Sequence, residues 1–161
     1  MALPKFSPGF LLLEDGTLFR GQLRTTSAPT VAEVVFTTSM SGYQETFTDP
    51  SYSGQIVVMT APMIGNYGIN SADPESARPQ VAGVIVRELS NSYSNWRAEG
   101  DLFSWLRDSQ VPVLEEVDTR RLTKLLRTVG VMRGVIALGT EPSKEVLAAR
   151  DACPSMEGLD L

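Results

Sequence analysis

Half of the side chains in TSMSGYQETFTDPSYSGQ, residues 38–55, carry a hydroxyl. A hydroxyl attacks a substrate only when a base takes its proton. The chain contains no histidine, which removes the commonest general base, the commonest transition-metal ligand and every Ser-His or Cys-His pair. Serine-lysine catalysis wants S-x-x-K, and no serine stands three residues before Lys5, Lys124 or Lys144. Ser53-Gly54 lacks the glycine two positions before the serine that a nucleophile elbow requires. The single cysteine, Cys153, follows a helical pattern, and the dipole at a helix C-terminus opposes thiolate formation; it reads as a bystander thiol. A zinc site would have to be built almost wholly from carboxylates. Glu115 and Glu116 are adjacent in a strand pattern and are expected to face opposite ways, so they are no glycosidase pair. No G-x-x-x-x-G-K-[ST] occurs, and Gly65 and Gly68 do not complete G-x-G-x-x-G. The hydroxyl-rich segment is left with two readings: its groups turn and cap their own backbone, or they offer donors to a polar ligand.

Composition sets the frame for these residues. At 161 residues, 42% apolar and 20% charged, the chain suits one globular domain with a core. The net charge of −5 speaks against a nucleic-acid partner, which needs a basic face. No apolar run reaches the 18 residues of a membrane span. The opening MALPKFSPGFLLLEDG is cut off by Glu14 and Asp15 without a cleavage site, so it is no secretory signal. A lone cysteine fits a reducing compartment, and the expected location is cytoplasmic.

The elements that must position the polar segments follow from pattern. FLLLEDGTLFRGQLRT (10–25) reads as two strands joined at Asp15-Gly16, a dipeptide that accepts positive φ. In the second arm Leu18, Arg20, Gln22 and Arg24 share one face, with Phe19 and Leu23 on the other. AEVVFTTS (32–39) is a third strand; IVVMTAP (56–62) and VAGVIVREL (81–89) are continuous apolar runs typical of buried strands. Residues 63–80, dense in glycine, asparagine and proline, are expected to be a second long loop. A short helix over 101–108 with Asp101 as cap precedes a strand over 111–117. The clearest helix is capped by Asp118 or Thr119, carries Leu122, Leu125, Leu126 and Val129 as its apolar stripe, and ends at Gly130. A strand over 131–139 and a helix over 141–152, with Pro142 in its first turn, complete the chain. Strands first, then strands alternating with helices, argue an α/β layering with both parallel and antiparallel pairing. Asp118, Arg120, Arg121, Lys124 and Arg127 put several cations on the outer face of the clear helix: solvated surface, or the minority reading of a docking face for an acidic partner.

LEDGTLFRG (13–21), AEVVFTTSMSGYQETFTDPSYSGQIV (32–57), PMIGNYGIN (62–70) and DTRRLTKLLR (118–127) follow in an order and spacing that resembles the N-terminal domain of the small chain of glutamine-dependent carbamoyl phosphate synthetase. The likeness runs from about Leu11 to Leu161. It implies a three-layer β/β/α domain of the swivelling type over residues 1–152, with 153–161 beginning a linker to a C-terminal glutaminase domain absent from this sequence. In that family the small chain hydrolyses glutamine, and the ammonia passes through a tunnel to a large chain that makes carbamoyl phosphate for pyrimidine and arginine synthesis. ATP and magnesium belong to the large chain, so the resemblance implies no cofactor and no metal here.

The family's nucleophilic cysteine and its histidine-glutamate pair lie in the absent domain. Cys153 does not correspond to that nucleophile, and no catalytic residue carries over. One ligand residue does: the serine of the DPSY motif, here Ser51, is implied to reach the glutamine site across the domain boundary, while the other hydroxyls shape the loop that presents it. The implied partners are the large chain and the glutaminase domain, in heterodimers that associate further; the polar segments at 38–55 and 63–80 are the candidate contact surfaces. The alternative is a free-standing binding module that keeps the fold without a glutaminase.

Overall fold

The computed structural model describes residues 7–23, 29–38, 43–60, 79–87, 106 and 108–152. Seven strands occur among them: β1 (Ser7–Leu13), β2 (Leu18–Leu23), β3 (Thr30–Thr37), β4 (Ile56–Met59), β5 (Gly83–Ile85), β6 (Val113–Glu115) and β7 (Met132–Leu138). Three α-helices accompany them: α1 (Tyr43–Thr48), α2 (Thr119–Val129) and α3 (Lys144–Ala152). A 3-10 turn, Pro50–Tyr52, lies between α1 and β4.

The strands close into a barrel in the order β1-β2-β6-β5-β4-β3-β7. β3, β4, β5 and β6 run parallel, while β1 with β2, β1 with β7, β2 with β6 and β3 with β7 pair antiparallel. The mixed α/β pairing expected from the sequence is therefore present. The three-layer swivelling arrangement holds only at that coarser level, because the described strands form one sheet closed on itself and not two stacked sheets. Closure depends on glycine: a Cβ on Gly21 would sit 2.4 Å from the Glu115 carbonyl oxygen, where β2 meets β6. Strands with no side chain at that point can approach and pair.

Alternation divides the apolar residues between inside and outside. Leu11, Leu13, Phe19, Leu23, Val34, Ile56, Val58, Ile85, Leu114 and Ile136 meet in one buried cluster that fills the barrel. Their neighbours along the same strands face outward into two further clusters. Val57, Met59, Val84 and Val113 pack with Phe47 of α1 and with Leu106. Phe10, Leu12, Val135 and Ala137 pack with Val146 of α3. The continuous apolar runs thus reflect strands covered on both faces.

Residues 38–55, expected to be a loop, contain α1 and the 3-10 turn in their described part. The reason is Phe47, fully buried against the outer barrel wall, and a parallel β3–β4 pair also needs a crossover connection between opposite ends. The hairpin at Asp15-Gly16 forms as expected, with Gly16 at φ +94°. The strand over 111–117 stops at Glu115, since Glu116 turns the chain at φ +65°. α3 begins later than expected: Ser143 precedes its first turn, its hydroxyl accepting the Val146 N–H at 3.2 Å, and Pro142 lies outside the helix. The loop over 63–80, apart from its last two residues, most of the helix over 101–108, and Cys153 with the tail to 161 lie outside the described residues.

α2 joins the C-terminal end of β6 to the N-terminal end of β7 and so lies across one mouth of the barrel. Asp118 is its cap, accepting the Arg121 N–H at 3.1 Å, and Gly130 ends it at φ +94° with its N–H on the Leu126 carbonyl. The buried residues are Thr119, Leu122, Thr123 and Leu126, with Leu125 half-buried and Val129 57% exposed. The sequence stripe is corrected by about a sixth of a turn: Leu122 and Leu126 are shared, while Thr119 and Thr123 are buried in place of Val129. Asp118→Ala is expected to cost about 1 kcal/mol, the usual value of an N-cap, seen as a lower chemical-denaturation midpoint with unchanged slope.

Candidate functional site

The Ser51 segment is built from a local device. Pro50 opens the 3-10 turn, and Asp49 caps it by accepting the Ser51 N–H at 2.9 Å. That backbone N–H, and then the Ser51 hydroxyl, hold the exposed Asp49 carboxyl below the usual carboxylate range. Behind the turn, the Gly54 N–H donates to the Gln80 carbonyl at 3.0 Å and the Ala82 N–H to the Gln55 carbonyl at 2.8 Å. These bonds anchor the turn at the N-terminal ends of β4 and β5. Glu33 and Gln55 are joined nearby by a side-chain hydrogen bond. Ser51 is exposed, presented by the turn instead of packed beneath it. The turn is held by the Asp49 carboxylate and by backbone groups, with the Ser51 hydroxyl bonded to that carboxylate.

The opposite barrel mouth carries different chemistry. A surface cleft of about 650 Å³ is lined by Arg87, Glu115, Glu116, Val117 and Asp118, all beyond or at the C-terminal ends of β5 and β6. Glu115 is buried and Glu116 exposed, yet both border this one cleft, because the positive φ at Glu116 breaks the alternation that would send them to opposite faces. Beside it runs the outer face of α2, with Arg120, Arg121, Lys124 and Arg127 all exposed. Two of these cations are not free in solvent: Arg121 lies over the Phe19 ring, 4.5 Å from its centroid, and Arg127 over Phe36 at 5.4 Å. Sequence spacing found the cationic face and missed its aromatic bracing, since Phe19 and Phe36 come from β2 and β3, far away in the chain.

Ser51 and the cleft therefore sit at opposite ends of the parallel strands and form no common site. Among the described residues no cluster of three or more acidic, cysteine or histidine side chains is placed to hold a metal ion, and no helix is long and apolar enough to cross a membrane. What the geometry offers is a rigid scaffold with a presented polar turn at one end and a basic helix at the other.

Comparison with known proteins assigns that scaffold. Residues 11–136 match the family described as carbamoyl-phosphate synthase small chain, CPSase domain. The carbamoyl phosphate synthase small chain of Akkermansia muciniphila is 50% identical over 151 residues, 94% of this chain and 40% of that one. The small chain from Nostoc sp. is 45% identical over 161 residues, covering 100% of this chain and 42% of its own. The small chain from Caldanaerobacter subterraneus subsp. tengcongensis is 52% identical over 137 residues, 85% of this chain and 38% of that one. An aminopeptidase from Aneurinibacillus sp. superposes with a TM-score of only 0.44 at 13% identity over 86% of this chain and 31% of that chain, too loose a likeness to bear on fold or activity. The chain belongs to the carbamoyl-phosphate synthase small chain family, and it spans about two fifths of the length of these relatives.

Proposed function

We propose that this chain is the non-catalytic N-terminal domain of the small chain of a glutamine-hydrolysing carbamoyl phosphate synthetase. Its work is to hold the small chain to the large chain and to complete the glutamine site of a neighbouring glutaminase domain. The observation that carries this reading is the family match over residues 11–136 joined to coverage of only about 40% of the relatives. The residue inventory supports the non-catalytic part. With no histidine anywhere in the sequence, the base that glutamine hydrolysis by a cysteine nucleophile requires must come from elsewhere. The reading places the protein in the cytoplasm and leaves ATP and magnesium to the large chain.

Ser51 supplies the contribution to glutamine. It is exposed on a turn fixed by Asp49 and Pro50, so its hydroxyl oxygen, with the proton directed to Asp49, can accept a hydrogen bond across a domain boundary with little ordering left to do. In the complete small chain assembled with its large chain, Ser51→Ala is expected to weaken glutamine use about three- to tenfold, the scale of one ordinary hydrogen bond of about 0.5–1.5 kcal/mol. Steady-state kinetics with glutamine and, separately, with ammonia as nitrogen donor read this out. The loss belongs to glutamine alone, and equal glutamine kinetics in the two proteins would reduce Ser51 to a turn residue.

A further inference from the structure

The cations of α2 stand where the helix itself disfavours them. The sequence TRRLTKLLRTV holds four cations and no acid, in a chain whose net charge is −5. Arg120 and Arg121 occupy the first turn, where the helix dipole repels positive charge; the turn itself holds no acid, and the carboxylates near it, the Asp118 cap with Glu115 and Glu116, line the neighbouring cleft. Arg120 and Lys124 are four residues apart and repel each other. Arg120, Lys124 and Arg127, at i, i+4 and i+7, share one exposed face. Arg20 forms a salt bridge with Glu141, whereas among the described residues none of the four α2 cations is in an ion pair. Phe19 and Phe36 hold two guanidinium groups in place, which lowers the entropy lost when they meet an anion.

From this we infer that the outer face of α2 is a docking surface for a cluster of carboxylates on the large chain. The inference rests on the proposed function and adds to it the face used and the chemistry that recognises it. The two mouths of the barrel divide the labour: Ser51 at one end addresses the glutaminase domain, and α2 at the other is left for the separate large chain. Complementary charge of this kind speeds encounter and fixes orientation, and it is screened by salt.

The test uses the complete small chain and its large chain. Dissociation constants are measured across a salt series for wild type, for Arg120→Glu/Lys124→Glu and for Arg120→Gln/Lys124→Gln, with thermal unfolding confirming that each variant is folded. Neither substituted residue lies over a ring, so the bracing pairs stay intact. The charge reversal is expected to weaken assembly about ten- to a hundredfold at low salt and to flatten the salt dependence, with the neutral pair in between. Equal affinities and equal salt slopes in all three would overturn the docking surface while leaving the proposed function standing. No complex even with the wild-type chain would overturn the function, and the docking surface with it. Salt-sensitive retention of a random-sequence duplex DNA by wild type but not by the reversal, without any change in large-chain affinity, would assign the face to a polyanion and overturn the proposal.

Discussion

Valine at position 21 is expected to lower the unfolding midpoint by about 10 °C, corresponding to about 3 kcal/mol of overpacking in a chain of this size. The effect comes from what a Cβ would meet. At Gly21 it would lie 2.4 Å from the carbonyl oxygen of Glu115 and 3.0 Å from Val117 Cγ2. The nearer neighbour is backbone, which cannot rotate away as a side-chain end can. Relief requires β2 to draw back from β6, and Gln22↔Glu115 and Leu23↔Leu114 are the only residue pairs joining those strands in the described register. The substitution therefore acts on barrel closure as a whole. Gly16→Ala is the comparison: Gly16 has φ +94° but nothing within 4 Å of a Cβ, so strain alone should cost about 1–2 kcal/mol there. Thermal unfolding of both variants beside wild type separates the two causes. A Gly21→Val protein that melts with wild type would show that β2 and β6 are not joined at this seam.

Local chemistry made much of this fold legible. Asp15-Gly16 marked the first hairpin because its φ requirement is written in two residues; Gly130 marked the end of α2 in the same way, and capping chemistry narrowed its start to Asp118 or Thr119. The alternation in β2, with Phe19 and Leu23 buried and Arg20 exposed, followed from period two alone. Barrel closure did not, because pairings such as β2 with β6 and β3 with β7 join residues far apart in sequence. Gly21 and Gly134 are the signals of close approach, yet a glycine in a strand says only that something comes near. The buried face of α2 was misplaced because Thr119 and Thr123 look like surface residues until the helix is known to plug a barrel mouth. At the candidate site, residues 38–55 read only as a polar loop, without the capped 3-10 turn at Pro50–Tyr52, while the role of Ser51 toward glutamine came from the family motif and not from pattern. The bracing of Arg121 and Arg127 by Phe19 and Phe36 had no local signal at all.

Ammonia release from glutamine is the decisive measurement, made on the purified 161-residue chain and on the complete small chain side by side. Hydrolysis of an amide at a useful rate needs a nucleophile activated by a positioned base. This sequence has one cysteine and no histidine, it spans about two fifths of its relatives' length, and the proposed function puts the chemistry in a domain outside this chain. The 161-residue chain is expected to release no ammonia above the uncatalysed background, on the order of 10³-fold or more below the complete chain, the scale of losing nucleophile and base together. Turnover by the 161-residue chain that survives Cys153→Ala and repurification would contradict the assignment of this domain as non-catalytic.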